Sequence, residues 1–241
     1  MLARSVERFG VRMRLHWLLQ DARMEPFRRG SALFRLAPLL SRLTKHEQLP
    51  ALADELCGSF ARTLRAQRAM IAMLVPSRER GVVNLELVGL FPAAPRAVHS
   101  AHAPYVVTSF NALRGMVLEG PQRLGLLSLC VRTNALVLES EAYDSHHFNP
   151  TLDRECGWEH TPMATRTLLA VPLQSRRPRN ALAMGAIVLI NKQGGAGDDA
   201  AQFGPDDERD LVAVAELFSL ALESCDDILP MLRTYDPEGG V

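Results

Sequence analysis

The chain lacks several features that would place it quickly in a class of protein. It has four cysteines in 241 residues and no Cys-x-x-Cys pair, which argues against a disulfide framework or a zinc knuckle. Lys plus Arg equals Asp plus Glu at 27 each, so no net charge indicates nucleic acid or an anionic membrane surface. No apolar run approaches the roughly 20 residues of a transmembrane helix. These absences favour a soluble cytoplasmic protein with reduced thiols.

The composition fits one domain with extensions. With 47% hydrophobic residues, the chain can bury one substantial core. We predict a basic amphipathic N-terminal extension over residues 1–30, one domain over 31–229 and a C-terminal tail over 230–241.

The N-terminal extension carries seven arginines and an apolar stripe at helical spacing. One interpretation is a mitochondrial presequence, which is typically arginine-rich, amphipathic and poor in acids. Glu7, Asp21 and Glu25 favour instead a helix that packs on its own domain or on a second copy. The stripe consists of Leu2, Val6, Phe9, Met13 and Trp17.

The rest of the chain alternates between helical and strand-like patterns. Continuous apolar runs at 69–75, 167–174 and 184–190 predict buried strands. Pro205 suits the first position of a last helix, where the acids that follow it complement the helix dipole. An earlier helix is predicted by one apolar face made of Leu49, Leu52, Leu56, Phe60 and Leu64.

One motif spans the end of a predicted strand and the start of the last helix. Asn191, Lys192, Phe203, Asp207 and Glu208 match in order and spacing the signature of the GAF domains of cyclic-nucleotide phosphodiesterases. The chain therefore resembles a GAF domain, a small-molecule sensor module. The resemblance implies a supporting ion pair between Lys192 and Asp207 rather than a contact with the ligand.

A second stretch, EAYDSHHFNPTLDRECGW, resembles the Phe-Asn-Pro segment of the same family. A short helix before it is also similar, with Asn134 in place of the family's terminal glycine, where Asn can adopt the left-handed cap conformation. The matching positions of the segment are Asp144, Phe148, Asn149, Pro150, Asp153, Gly157 and Trp158, and the family's next motif is matched by Thr165, Arg166, Leu169 and Pro172.

The resemblance implies an α/β GAF-like fold with a central antiparallel sheet of about six strands flanked by helices. It places a pocket between the sheet and the Phe-Asn-Pro segment, with a cyclic nucleotide (cyclic AMP or cyclic GMP) as the first candidate ligand and no metal. Phe148 would cover a purine and Thr165 would donate a hydrogen bond. The expected ligand-binding residues are Asp144, Phe148, Cys156, Thr165 and Arg166.

Two departures from the phosphodiesterase pattern fall in this segment. Residues 159–164 are an insertion where the family forms the lid of its pocket. Cys156 replaces a small hydroxyl residue that helps to hold the ligand in some relatives. Both changes bear on ligand specificity and leave the expected fold in place.

Three functions remain open at this stage. The first is a non-enzymatic sensor that signals through its terminal helices to a partner or to a dimer mate. The second is a ligand-free GAF scaffold or dimerisation module. The third is a free methionine-R-sulfoxide reductase, since Cys130 and Cys156 fall roughly where reductase cysteines lie, although LSLCVRTN lacks the Gly-Val-Cys-Gly context. We rank the sensor first.

Overall fold

A computed structural model describes residues 49–77, 79, 82–92, 105–111, 116–117, 125–154, 164–174, 183–195 and 201–223. The predicted N-terminal extension and C-terminal tail lie outside these ranges. So do Cys156, Gly157, Trp158 and residues 159–163 of the insertion.

The described strands form one antiparallel sheet in the order β4-β3-β2-β1-β7-β6-β5. The expected antiparallel sheet of about six strands is confirmed, and the two-residue β4 adds a seventh strand at one edge. The strands are β1 Ala66–Pro76, β2 Val82–Phe91, β3 Tyr105–Asn111, β4 Met116–Val117, β5 Val137–Glu139, β6 Leu168–Leu173 and β7 Gly185–Lys192.

Three α-helices flank this sheet in the described ranges: α1 Leu49–Thr63, α2 Leu126–Thr133 and α3 Pro205–Glu223. The predicted apolar face of α1 is buried and packs on β1 and β2. Helix α2 ends at Asn134, whose φ of 51° and ψ of 35° give the expected left-handed cap. None of the described helices is both long and apolar enough to span a bilayer.

Strands β6 and β7 form the centre of the core. Every residue of β6 is buried, and so is every residue of β7 before Lys192, as their continuous apolar runs predict. Strand β7 also approaches β1 closely at Gly185, where a Cβ atom would lie 2.1 Å from the carbonyl oxygen of Ala72.

Cross-strand register assigns the helices to the two faces of the sheet. Directly opposed residues point to the same side, so Gly89, Ile71, Ile187 and Val171 form one row. Gly89 lies against Ala53 of α1, while Val171 borders α3. Helices α1 and α3 therefore share one face, the α1/α3 face.

Arg68, Ile190 and Leu168 form another row, three residues farther along each strand. It points to the opposite side because side chains alternate along a strand. We call it the α2 face because Asp153 bonds to Leu126 of α2. The Phe-Asn-Pro segment (residues 142–154) covers it, since the side chain of Arg68 bonds to Thr165, which in turn bonds to Asp153.

Candidate functional site

The Phe-Asn-Pro segment begins with a 3₁₀ turn at Ala142–Asp144 and ends in a π-helical turn at Pro150–Arg154. Phe148 is buried, and its ring centroid lies 4.6 Å from that of Tyr143. Tyr143 is 46% exposed. The segment thus places one aromatic ring against the sheet and a second at the surface.

Asp153 fastens this segment to α2. Its Oδ1 accepts the backbone N–H of Leu126 at 2.8 Å, and its Oδ2 accepts that of Asn149 at 2.7 Å. Burial raises the pKa of Asp153 from 3.8 to about 6, although these N–H groups act in the opposite direction. The amino end of α2 is therefore already occupied by a carboxylate of the same chain.

Arg68 is a buried cation on the α2 face. Its Nη2 donates to Thr165 Oγ1 at 3.0 Å and to the carbonyl of Ala164 at 3.2 Å. Burial lowers its pKa to about 10, so the guanidinium stays charged at neutral pH. Thr165 Oγ1 donates in turn to the carbonyl of Asp153 at 2.9 Å, and these bonds join β1 to the Phe-Asn-Pro segment.

Asn191 connects the same region to β7. Its Oδ1 accepts the N–H groups of Arg166 at 2.7 Å and Thr167 at 3.3 Å. Its Nδ2 donates to Ala164 O at 2.6 Å and to Gln67 Oε1 at 2.7 Å. Its φ of 57° lies in the left-handed region, which Asn tolerates better than most residues. The carbonyl of Ala164 thus accepts from both Asn191 and the guanidinium on β1.

Lys192, the residue after Asn191 in β7, joins three elements. Its Nζ lies 2.6 Å from Asp207 Oδ1 and 2.9 Å from the carbonyl of Leu64, just after α1. It also lies 5.8 Å from the ring centroid of Phe203. Asp207 Oδ2 accepts the N–H of Gly204 at 3.0 Å, as the third residue of a capping box does. One ammonium therefore ties β7 to the end of α1 and the beginning of α3.

The predicted ligand-binding residues separate into three groups. Phe148 and Thr165 are buried, whereas the side chains of Asp144 and Arg166 are exposed. Cys156 lies outside the described residues. The hydroxyl proton of Thr165 is directed at Asp153, so in this structure Thr165 offers a ligand no donor. Glu208, in the first turn of α3, donates its N–H to Gly204.

Sequence reasoning missed Arg68 and gave Asp153 no role in the site. The predicted first strand began at residue 69, one residue after the arginine, whereas β1 begins at Ala66. An arginine at the start of a strand is ordinarily exposed, and the partners of this one lie 96 and 97 residues away. Asp153 was visible as a motif position, but its two bonds to backbone N–H groups were not.

The described thiols are buried. Burial raises the pKa of Cys130 to about 12 and that of Cys57 well above its ordinary value. Both therefore stay protonated at neutral pH, and a thiol reacts as the thiolate. No cluster of metal-ligating side chains occurs among the described residues.

Comparisons with known proteins agree with this architecture. The family model described as the GAF domain matches residues 48–222. A solved GAF domain of a phosphoenolpyruvate-protein phosphotransferase from Coxiella burnetii is 11% identical, with a TM-score of 0.50 over 80% of this chain and 93% of that one. Residues 122 to 287 of a methyl-accepting chemotaxis protein are 14% identical, with a TM-score of 0.50 over 77% of this chain and 94% of that one.

A free methionine-R-sulfoxide reductase from Neisseria meningitidis is also similar, at 14% identity and a TM-score of 0.48 over 80% of this chain and 88% of that one. A search of the curated proteins gives no significant match. At these identities the similar structures show the fold alone.

Proposed function

Because the chain belongs to the GAF domain family, we propose that it is a sensor that binds a small molecule beneath the Phe-Asn-Pro segment. The observation that carries this proposal is the set of buried polar groups on the α2 face. Arg68, Thr165 and Asp153 converge there, and burying such groups is costly unless they have polar partners. Buried ionisable groups with shifted pKa values are typical of functional sites.

A cyclic nucleotide is the first ligand that we propose. We assign the purine to Phe148, the buried aromatic ring of the Phe-Asn-Pro segment. The amino end of α2, the usual place for a phosphate in such a pocket, is occupied by the carboxylate of Asp153. Among the described residues, Arg68 supplies a buried cation on this face. We propose that its guanidinium binds the phosphate of the ligand.

Ligand entry requires the Phe-Asn-Pro segment to move, because Arg68 and Phe148 are both buried. That movement would disturb the Ala164 carbonyl, which Arg68 and Asn191 share. Asn191 precedes Lys192, which holds α1 and α3. We propose that the bound state reaches a partner protein or a dimer mate through these helices and the terminal segments beyond them.

Thermal denaturation with added ligand tests the binding proposal. A ligand that binds only the folded state raises the melting temperature. At a concentration of 100 times its Kd, it increases the free energy of unfolding by about 2.7 kcal/mol. Cyclic AMP or cyclic GMP should raise it for the wild type. Arg68→Lys, which keeps the charge and loses the planar fork, should reduce that rise, while Arg132→Met, at an exposed position of α2, should not.

Adenosine and guanosine serve as uncharged comparisons, and their smaller effect should not change in Arg68→Lys. Absence of any shift with the cyclic nucleotides would contradict this ligand class. Absence of a shift with a panel of small metabolites as well would favour the ligand-free scaffold.

We also propose that the protein is not an enzyme, and that it acts in the cytoplasm. The buried thiol of Cys130, with its raised pKa, argues against a reductase mechanism that uses this residue. An assay with free methionine sulfoxide tests the point. Turnover by the wild type that is lost in Cys156→Ser would establish the reductase instead.

A further inference from the structure

A cavity lies on the α1/α3 face, on the other side of the sheet from the Phe-Asn-Pro segment. It has a volume of about 350 Å³, and its apolar wall is formed by Leu136, Val171, Val212 and Ala215. This volume falls in the range of small-molecule sites, roughly 300–1,000 Å³. The cavity lies between α3 and β6, and it shares no residue with the site proposed above.

One buried side chain in this cavity has an unused hydrogen-bonding group. Ser219 lines the cavity and is 5% exposed. Its Oγ has no hydrogen-bond partner among the described residues. A serine within a helix commonly bonds to the carbonyl four residues earlier, and an unsatisfied buried hydroxyl is unfavourable. A bound ligand with a polar group would give this hydroxyl a partner.

The other polar groups of the cavity are also acceptors. Glu216 of α3 lines the cavity and contributes an exposed carboxylate. The amide Nε2 of Gln174 donates to the carbonyl of Asn134 at 3.3 Å, which leaves Oε1 as an acceptor and one N–H as a donor. Three acceptors and one negative charge therefore adjoin an apolar wall.

We propose that this cavity binds a small organic cation, namely an ammonium group on a compact apolar body. The body packs against Val171, Val212 and Ala215, and the ammonium donates to Ser219 Oγ and to the carboxylate of Glu216. Four of the residues involved lie on one face of α3 at positions 212, 215, 216 and 219. Occupancy would therefore act directly on α3, one of the helices through which, in the function proposed above, the sensor signals.

Ligand-observed NMR of the full chain with benzylamine tests this proposal. Benzylammonium should bind, benzyl alcohol should bind about tenfold more weakly because it lacks the charge-assisted bond, and phenylacetate should not bind. Ser219→Ala and Glu216→Gln should each weaken benzylamine about tenfold, the loss expected for one such bond.

Asp206→Asn is the matched control, because it also removes a carboxylate from α3 but lies at the exposed amino end of the helix. Thr165→Val separates the two sites: it alters the Phe-Asn-Pro region and should leave benzylamine binding unchanged. The proposal is overturned if benzylamine does not bind, if phenylacetate binds equally well, or if Ser219→Ala and Glu216→Gln retain wild-type affinity in a folded protein.

Discussion

At the scale of single residues, the α2 face depends on charges that are buried yet hydrogen-bonded. In the folded protein, the carboxylate of Asp153 accepts hydrogen bonds from the N–H groups of Leu126 and Asn149 in place of water. These two bonds do not fully offset the loss of water, so the pKa of its carboxyl is raised. The residue thus stabilises the connection to α2 while making it sensitive to pH.

The raised pKa of Asp153 makes the free energy of unfolding depend on pH. The folded protein holds a proton up to about pH 6, whereas the unfolded chain releases it near 3.8. The stability contributed by this proton is therefore present below pH 3.8 and is lost as the pH rises through about 6. Relative to Asp153→Asn, the wild-type free energy of unfolding should fall by about 2–3 kcal/mol between pH 4 and 7.5.

Urea denaturation of both proteins across this pH range measures the difference. Asp206→Asn, which changes an exposed carboxylate, is the matched control for loss of a buried one. A constant difference between wild type and Asp153→Asn would show that this carboxyl does not titrate differently on folding.

Gly89 of β2 has no room for a side chain. A Cβ atom there would lie 2.6 Å from the backbone carbon and the Cβ of Ala53 in α1. Gly89→Ala should lower the free energy of unfolding by about 1–3 kcal/mol, because α1 must shift away from the sheet. Gly195→Ala is the control, since nothing lies within 4 Å of its added Cβ. Equal stability of the two variants by urea denaturation would contradict the close contact.

At the scale of elements, Lys192 holds the two helices of the α1/α3 face to β7. Its ion pair with Asp207 is largely shielded, with side-chain exposures of 17% and 15%. The pair between Arg209 and Asp206 is exposed, at 61% and 91%. Such a difference in solvent screening predicts very different contributions to stability.

Removal of the Lys192 ammonium leaves Asp207 and the Leu64 carbonyl without a shared donor. Lys192→Met should therefore lower the free energy of unfolding by about 2–4 kcal/mol, and it should weaken the ligand response through the loosened α3. Arg209→Met, the matched surface variant, should cost less than about 1 kcal/mol. A double-mutant cycle with Asp207→Asn measures the coupling between the two side chains. Full stability of Lys192→Met would contradict a stabilising role for this ion pair.

The sequence motifs predicted elements better than they predicted side-chain positions. The start of α3 at Pro205 and the Asn134 cap of α2 depend on local chemistry, which neighbouring residues determine. The side chains of Asp144 and Arg166 match the family motif, yet they are exposed in this structure. The position of Arg68 depends on partners from a distant part of the chain, and the cavity beneath α3 requires three separate segments. Neither has a local signal.

At the scale of the whole molecule, the sheet should open from its edges toward β7. Strand β7 lies between β1 and β6 and is buried on both faces, whereas β5 is a three-residue edge strand with Leu138 39% exposed. In hydrogen exchange, amides of β7 should exchange only through global unfolding, and those of β5 should exchange through local opening at lower free energy. Mass spectrometry of exchanged peptides measures both, and equal protection of the two strands would contradict this order.

The bonds of Lys192 to Leu64 and Asp207 also limit how the domain can be joined to other proteins. A fusion boundary placed between Leu64 and Asp207 would separate the ammonium from one of its two anchors. A reporter joined through a rigid linker before α1 or after α3 would instead be attached to a helix whose orientation is already set by the sheet. Designs of biosensor chimeras should therefore keep residues 49–223, which include both complete helices, as one unit.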